Sequence, residues 1–536
     1  MKKVLLAFLL LFSLQAQAVV DLNPTSYSWP DCAGGETSTL KIVSTTSDLN
    51  LLESPSTAYT DFCIVPGDYK SAGEIVIGKS CTSESPCRIT VYDSGETYKP
   101  AIQQTTQAVL DAIKWSGKSY WRVRGLTVSD TARTSANLRR IQVLLNSDGI
   151  VLDGILAEGG KNNIIQLTRG SDDFVLQNSV VRKSYRSLSS DVHCVYVTPT
   201  GTETASNLKQ VRRARFIKNE IYDCNGDGIQ VQSSSGATAN GDIGAIGMVV
   251  SNNDFYTTTE YYTNCSGAQW SSGAQCSCGE NALEFKNANR TVTGVDDWVT
   301  VAYNRMWGYR REDSSSDDSY CDNNHSTPGF AVNIQADPPD HTPNYVNVYG
   351  NLIYDSSNGI YTEANHDINI YKNVFKSVDT GTYAAYGGNS ENPKGAMQIG
   401  SDNTNIYNNV VIESEVYIKE DTGGVVDMYS NYFINAGNWE TDGTGDWETG
   451  STVHGNFYYA VGSGTAEYPT TVYNGLWDDG GNTTSSSDSP GEDAYCVVRF
   501  IWTNPQELCI DDGGIYINIA TGAPSAPTGG TVDTTP

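Results

Sequence analysis

The sequence predicts an all-β protein, a single-stranded right-handed parallel β-helix with N- and C-terminal caps. Three observations favour this fold: a turn motif that recurs along the chain, a spacing of 22 residues between some of its copies, and the composition. The chain holds 51 Gly and 32 Tyr but only 5 Met, which is typical of strands and turns rather than helices.

The recurring motif is a β-rich run followed by Asn or Gly and then two or three apolar or aromatic residues. Its copies lie at Gly125, Gly154, Asn178, Asn219, Asn253, Asn304, Asn351, Asn373, Asn409, Asn431 and Asn456. Because Asn tolerates the left-handed backbone conformation, it suits such a turn, and stacked Asn side chains can hydrogen-bond from coil to coil. A leucine-rich repeat would need Leu at fixed offsets, and a propeller about 40 residues per blade.

A second set of strands precedes these turns, and its apolar residues alternate inward. The outward positions read Gln166/Thr168, Tyr196/Thr198, Gln230/Gln232, Glu284/Lys286, Asn333/Gln335, Tyr361/Glu363, Gln398 and Tyr417/Lys419. Successive coils stack about 4.8 Å apart, so we expect these side chains to form one ladder on one face of the β-helix.

The chain divides into five predicted parts. Residues 1–18 form a signal peptide, with Lys2 and Lys3 before an apolar run and Ala16-Gln17-Ala18 as cleavage site. Residues 19–114 form the N-terminal cap and first coils, and residues 115–460 the β-helix. Residues 461–519 form the C-terminal cap, and residues 520–536 a disordered, linker-like tail. We therefore expect a secreted protein, extracellular or periplasmic.

Twelve cysteines fit an oxidising compartment. Pairs close in sequence are Cys81 with Cys87, Cys265 with Cys276 or Cys278, and Cys496 with Cys509, although spacing does not fix connectivity. The net charge of −28 disfavours nucleic acid as a partner, and no apolar stretch after the signal peptide is long enough for a membrane span. The many carboxylates suit hard cations such as Ca²⁺. We expect a monomer.

Long loops cluster around the strand that holds Glu284 and Lys286. They cover residues 236–247, 256–279, 287–297 and 308–328. Long loops in a repeat protein usually mark its functional face. Loops on both sides of the ladder would build the walls of a groove, and the outward residues would be its floor, an arrangement that suits a polysaccharide strand.

Lys286 is the candidate catalytic base of this groove. β-Elimination from a uronate needs a base for the C5 proton, a cation for the carboxylate and a proton for the leaving oxygen. Lysine serves as a base when burial or nearby cations lower its pKa, and Arg290, Arg310 and Arg311 are the candidate cations. Glu284 would hold Lys286 or a metal but would raise the lysine pKa. The alternative is an exposed Glu/Lys pair without a role.

The Asn turns, the export signal and the strand Glu280-Asn-Ala-Leu-Glu284-Phe-Lys286 resemble the pectate-lyase-like superfamily, nearest to lyases of pectate, alginate or chondroitin. The resemblance implies a polysaccharide lyase with Lys286 as base. Alginate- and chondroitin-type lyases place an Arg beside that Lys on the next coil, where this chain has Gln335. Pectate lyases carry Asp clusters for Ca²⁺, and the nearest candidates here are Glu280, Asp227 and Asp223.

An anionic, uronate-containing polysaccharide is thus the predicted substrate. The candidate substrate-binding residues are Gln230, Gln232, Arg290, Asn333, Gln335, Tyr361, Glu363 and His341. Three alternatives stay open. A glycoside hydrolase would need two carboxyl groups about 6.5–9.5 Å apart, and Glu284 and Glu363 lie two predicted coils apart, about 10 Å. A C5-epimerase would use nearly the same groups as a lyase, and a glycan-binding adhesin would need the fold alone.

Overall fold

The computed structural model describes most of the chain between residues 22 and 519. The described residues are 22–92, 100–104, 106–130, 139–168, 170–184, 192–198, 210–232, 244–258, 279–286, 297–309, 329–335, 344–376, 378, 395–412, 414, 416–417, 425–429, 431–434, 439–440, 452–454, 457–459, 483–485, 495–501, 504–511 and 514–519.

Short strands stack in three rows, and every pairing within a row is parallel. The first row holds Glu74–Val76, Ala112–Ser116, Ile141–Leu144, Ile165–Thr168, Val195–Thr198, Ile229–Val231, Leu283–Phe285 and Phe330–Ile334. Two long strands, Asn358–Tyr371 and Gly395–Tyr407, belong to both the first row and the second.

The second and third rows follow the first within each coil. The second row holds Leu40–Val43, Asp61–Ile64, Cys87–Val91, Trp121–Arg124, Val151–Asp153, Val175–Gln177, Arg215–Ile217, Val249–Ser251, Val299–Ala302, Val346–Tyr349, Val426–Tyr429 and Thr452–His454. The third row holds Gly67–Asp68, Ala108–Leu110, Thr127–Ser129, Leu156–Glu158, Val180–Arg182, Glu220–Tyr222, Asp254–Tyr256, Arg305–Trp307, Leu352–Tyr354, Val374–Lys376, Val410–Ile412, Tyr432–Ile434, Phe457–Tyr459 and Thr483–Ser485.

Little lies outside these rows in the described part of the chain. The helix Thr46–Glu53 begins with a capping box between Thr45 and Asp48. Three 3₁₀ turns are Cys32–Gly34, Lys70–Ala72 and Ala101–Gln103. Two small parallel pairs join Val211–Arg212 with Ala245–Ile246 and Val416–Tyr417 with Trp439–Glu440. The strands Tyr495–Ile501, Asn504–Asp511 and Gly514–Ile519 form an antiparallel sheet.

This architecture confirms the predicted fold class, a parallel β-helix of nearly all-β content. Alternation sends every second side chain inward, so Leu283 and Phe285 are fully buried. Burial of each such side chain stabilises the fold by roughly 1.5–3 kcal/mol.

A column of buried asparagines confirms the predicted coil-to-coil hydrogen bonding. In each pair the Asn that comes earlier in the chain donates from Nδ2 to Oδ1 of the Asn on the following coil, at 2.9–3.0 Å. The column consists of Asn219, Asn253, Asn304, Asn351, Asn373, Asn409 and Asn431. Each Asn also donates to a backbone carbonyl, so these interior amides are satisfied.

The left-handed residue of this turn is not the column asparagine itself. It is the residue before it, as at Lys218 (φ 59°) and Tyr303 (φ 56°). In the coil before Asn219, Asn178 (φ 51°) takes the left-handed position, and Ser179 begins the column by donating its N–H to Asn219 Oδ1. The motif copy read at Asn178 is therefore one residue out of register with the later ones.

The N-terminal segment, residues 22–29, lies along the outside of the second row. The Leu22 carbonyl accepts hydrogen bonds from Ser251 Oγ (3.1 Å) and Asn252 Nδ2 (3.0 Å). Thr25 exchanges two hydrogen bonds of 2.9 Å with the Gln177 side chain. At the far end the Arg124 guanidinium lies 4.8 Å from the ring centroid of Trp29. The segment thus spans several coils.

Three disulfides occur among the described residues. Cys81–Cys87 was predicted, whereas Cys32–Cys63 and Cys194–Cys224 were not. Cys496 lies directly opposite Cys509 in the antiparallel sheet. The described residues include no helix long and apolar enough to cross a membrane. The signal peptide, the tail, Cys265, Cys276, Cys278 and most of the predicted wall loops lie outside the described residues.

Candidate functional site

The strand register confirms the predicted ladder of outward side chains from Gln166 to Gln398, whereas Tyr417 pairs with Glu440 in a separate small sheet and Lys419 lies outside the described residues. Facing positions on consecutive coils of the first row are Gln142, Gln166, Tyr196, Gln230, Glu284, Asn333, Tyr361 and Gln398. Two residues further along each strand, backbone hydrogen bonds continue the pairing from Gln232 through Lys286 to Gln335. Glu284 and Lys286 therefore share one coil, with amide side chains on the coil before and the coil after.

Glu284 is a fully buried carboxylate with partners on both oxygens. Its Oε1 accepts hydrogen bonds from Asn333 Nδ2 (3.1 Å) and Gln335 Nε2 (2.9 Å). Its Oε2 accepts one from Gln230 Nε2 and lies 3.2 Å from Lys286 Nζ. A buried carboxylate is costly unless it is paired and hydrogen-bonded, and this one is both.

Lys286 lies on the outward face of the first row with 14% of its side chain exposed. Burial lowers the pKa of its ammonium, but the carboxylates of Glu284, Asp227 and Glu280 outweigh burial and raise the pKa above the ordinary lysine value. The lysine is thus a cation at neutral pH. The lowered pKa that a lysine base needs at neutral pH is not present in this state.

A second polar column runs beside the ladder, two residues before each first-row strand. The side chain of each member accepts a hydrogen bond from a backbone N–H one coil further: Asn163 from His193, His193 Nδ1 from Asp227, Asp227 Oδ1 from Asn281, and Asn281 Oδ1 from Phe330. Because Nδ1 of His193 accepts, its proton lies on Nε2 in the neutral imidazole. The sequence motif did not reveal this column.

Asp227 is the member with a perturbed carboxyl group. Burial raises its pKa well above the ordinary value, and the neighbouring Glu284 raises it further. Its Oδ1 accepts from both the backbone and the side chain of Asn281 (3.1 and 2.9 Å), whereas its buried Oδ2 has no hydrogen-bond partner and lies 3.1 Å from His193 Nδ1. An orphaned buried oxygen is the kind of atom that a cation would satisfy.

Two predicted metal ligands lie together, and the third does not. Asp227, Glu280 and His193 offer one ligand atom each, all within 4.8 Å of one another. Asp223 is absent from this cluster, and its carboxylate accepts hydrogen bonds from the N–H and hydroxyl of Thr258 (2.8–3.1 Å). The two carboxylates suit a divalent cation, and His193 lies in the place expected for Asp223, but its Nδ1 accepts the Asp227 N–H and its Nε2 carries the proton, so this tautomer has no lone pair for a metal.

Tyr196 and Arg139 lie on the same face and were not among the predicted site residues. The Tyr196 ring stacks on His193 with centroids 5.4 Å apart, and its hydroxyl donates to Gln232 Oε1 at 3.3 Å. Burial raises the pKa of Tyr196, partly offset by Lys286, so the phenol stays protonated at neutral pH. The ladder position of Tyr196 could have identified it from the sequence. Arg139 lies in the turn before the strand Ile141–Leu144, outside the ladder.

The remaining predicted residues divide into two groups. Tyr361 occupies the ladder two coils after Glu284 and stacks on Phe330, with centroids 4.9 Å apart. Glu363 follows Tyr361 on the same strand and faces Gly400 on the next coil. The predicted cations and one histidine, which are Arg290, Arg310, Arg311 and His341, lie outside the described residues.

No protein-family model and no curated protein matches the chain. Among solved structures, an alginate lyase from Paenibacillus sp. str. FPU-7 is 12% identical, with a TM-score of 0.40, 70% of this chain and 96% of that chain covered. A mannuronic acid specific polysaccharide family 6 lyase from human gut microbiota is 12% identical, with a TM-score of 0.44 and coverages of 78% and 81%. For the A-module of an Azotobacter vinelandii mannuronan C-5 epimerase the identity is 12%, the TM-score 0.42, and the coverages 80% and 91%. The all-parallel sheets of the chain agree with the expected resemblance to pectate-lyase-like β-helices.

Proposed function

We propose that the protein is a polysaccharide lyase that cleaves an anionic, uronate-containing polysaccharide by β-elimination. The observation that supports this most is the Glu284–Lys286 pair on the groove floor. A fully buried carboxylate, fixed by three amide donors, holds one lysine in place on the outward face. A set of buried contacts that fixes the position of a single amine suits a reacting group better than a surface ion pair.

In the proposed reaction Lys286 acts as the base. Its neutral Nζ takes the proton from C5 of the uronate, and the electrons of that C–H bond form the C4–C5 double bond. The bond from C4 to the glycosidic oxygen breaks, and the leaving oxygen takes a proton from the phenol of Tyr196. Tyr196 suits this role because burial keeps it protonated.

The surrounding amides bind and orient the sugar chain. Gln232 and Gln335, which are half-buried, present polar groups on the coils that flank Lys286, whereas Gln230 and Asn333 are buried and hold Glu284. Glu284 fixes the lysine between its neighbours. If a divalent cation is bound, the carboxylates of Glu280 and Asp227 would hold it, and its charge would neutralise a uronate carboxylate and lower the lysine pKa.

The test is the appearance of a C4–C5 unsaturated sugar, which absorbs ultraviolet light, on a panel of polyuronates with and without chelator. We expect absorbance with the wild-type protein and a loss of about 10²- to 10⁴-fold in rate for Lys286→Gln. Lys376→Gln, a lysine on the third row, is the matched control and should keep full activity.

Other outcomes would overturn the proposal in distinct ways. New reducing ends without absorbance would indicate hydrolysis. Inversion at C5 without chain cleavage, seen by nuclear magnetic resonance of the polymer, would indicate an epimerase. Binding without any change in the polymer would indicate a glycan-binding protein, and full activity in Lys286→Gln would exclude the lysine as base.

A further inference from the structure

Arg139 lies on the same face as Lys286, four coils earlier. It precedes the strand Ile141–Leu144 by two residues, and that strand is followed in the first row by those of Gln166, Tyr196, Gln230 and Glu284. At about 4.8 Å per coil, roughly 19 Å of the groove separates Arg139 from Lys286 along the stack.

The guanidinium of Arg139 forms few hydrogen bonds to the described residues. Its Nη2 donates one long hydrogen bond of 3.3 Å to Asn162 Oδ1, and its buried Nε has no hydrogen-bond partner. Among the described residues it forms no ion pair, in contrast to the adjacent Arg140, whose Nη1 lies 2.7 Å from Asp111 Oδ1. Arginine is always charged, and a half-buried charge without a counter-ion is unfavourable.

Tyr196 connects Arg139 to the catalytic end of the groove. Its phenol interacts electrostatically with both Arg139 and Lys286, while its hydroxyl donates to Gln232. The two cations therefore lie on either side of one aromatic residue in the ladder. Of the intervening outward positions, Gln230 is buried against Glu284, and Gln166 is a half-buried neutral amide that would contact sugar hydroxyl groups.

On the basis of the proposed function, we propose that Arg139 forms a second anion-binding subsite, which takes the carboxylate of a uronate residue some units away from the one over Lys286. Because Nε is buried, the planar guanidinium would present its two Nη groups, which can bind a carboxylate bidentately. A polymer seated on the ladder would thereby be held at two carboxylates, one at each end of this part of the groove.

The test compares Arg139→Gln with Arg213→Gln on polymannuronate and polygalacturonate, whichever is cleaved. Arg213 is exposed and paired with Asp173 (2.6 Å), so its variant is a matched control. A charge-assisted hydrogen bond is the interaction lost. We expect Arg139→Gln to raise KM for the polymer about 10- to 100-fold with kcat nearly unchanged.

Chain length supplies the second readout. Oligouronates too short to reach from Lys286 to Arg139 should be cleaved equally well by the wild-type protein and by Arg139→Gln. An unchanged KM on the polymer, or an equal loss on short and long substrates, would overturn the subsite.

Direct binding separates this inference from the proposed reaction. If no polymer is cleaved, calorimetric titration with the same two polyuronates still measures the subsite. Weaker binding by Arg139→Gln than by Arg213→Gln, with a smaller salt dependence, would support the subsite without a lyase. Equal affinities, or no binding by the wild-type protein, would overturn it.

Discussion

Lys286 Nζ lies 3.2 Å from Glu284 Oε2, and the two residues are next-but-one neighbours on the same outward face of one coil. The carboxylate is fully buried, whereas the lysine side chain is 14% exposed. The position of the Lys286 amine is thus fixed by the Glu284 carboxylate, which has no exposed surface. The same contact also determines when the amine can accept a proton.

Replacement of Glu284 by Gln should weaken the fold and shift the titration of Lys286. The new amide would face the three donors of Gln230, Asn333 and Gln335, which costs roughly 1–3 kcal/mol of unfolding free energy. Loss of the counter-charge lowers the lysine pKa, so the alkaline rise of kcat/KM should begin at lower pH. Denaturant unfolding and pH–rate profiles measure both effects. Glu363→Gln, on the same face, is the control, and an unshifted profile in Glu284→Gln would contradict the coupling.

Activity of the wild-type protein should increase with pH across the neutral and mildly alkaline range. A base must be neutral to accept a proton, and the raised pKa of Lys286 keeps it charged there. The neutral fraction grows about tenfold per pH unit below the pKa, so log kcat/KM should rise with a slope near one. A rate that falls over this range would show that the charged ammonium is the active form.

Lys286 also contributes to the free energy of unfolding, and this contribution decreases at high pH. Its folded pKa lies above the unfolded value of about 10.4, so the stabilisation is fully present below that pH and is lost as pH rises through the folded pKa. Melting temperatures of the wild-type protein and of Lys286→Gln should therefore converge above about pH 10. Parallel curves over that range would argue against the raised pKa.

The buried asparagine column that includes Asn304 should contribute more to the free energy of unfolding than the half-exposed column that includes Asn369. Asn304→Ala removes donors and acceptors to three neighbours inside the β-helix, which leaves buried groups unpaired at a cost of about 1–3 kcal/mol each. Asn369→Ala is the matched control, because Asn369 belongs to a half-exposed column with Asn347 and Asn405 (2.9 Å each). Chemical denaturation should show a clearly larger loss for Asn304→Ala, and equal losses would contradict the argument.

A divalent cation should stabilise the protein through the carboxylates of Glu280 and Asp227. At a Ca²⁺ concentration 100 times the dissociation constant, the gain is about 2.7 kcal/mol, visible as a higher melting temperature that chelator reverses. Glu280→Gln should abolish the shift. Asp223→Asn should keep it, since Asp223 contacts Thr258 and not the cluster. Loss of the shift in Asp223→Asn alone would restore the ligand set expected from sequence.

Much of the fold follows from local patterns. Alternation defined the ladder from Gln166 to Gln398 correctly because the period of a strand is two, and loop insertions do not alter it. The asparagine column was likewise visible as a repeated turn. The left-handed residue was harder to assign, because Gly, Asn, Lys and Tyr all occupy that position.

The electrostatics of the site did not follow from sequence. Asp227 precedes Glu284 by more than 50 residues, yet it lies one coil away and raises the lysine pKa. The sequence indicated that Glu284 would raise the lysine pKa and that nearby arginines were candidate cations to lower it, but the contribution of Asp227 was not visible in it. Arg139 escaped notice for the same reason, since only the stacking of coils of unequal length brings it to the groove.

The N-terminal segment changes how the stack holds together. A repeat array normally couples only adjacent coils, so unfolding can begin at any point. Here the Leu22 carbonyl accepts hydrogen bonds from Ser251 and Asn252, which lie 229 and 230 positions further along the chain. The Arg124 guanidinium lies over the ring of Trp29. Residue 22 cannot form these hydrogen bonds until some 230 residues have followed it and folded. It would therefore dock late, after the coils beneath it have formed, and would tie them into one cooperative unit.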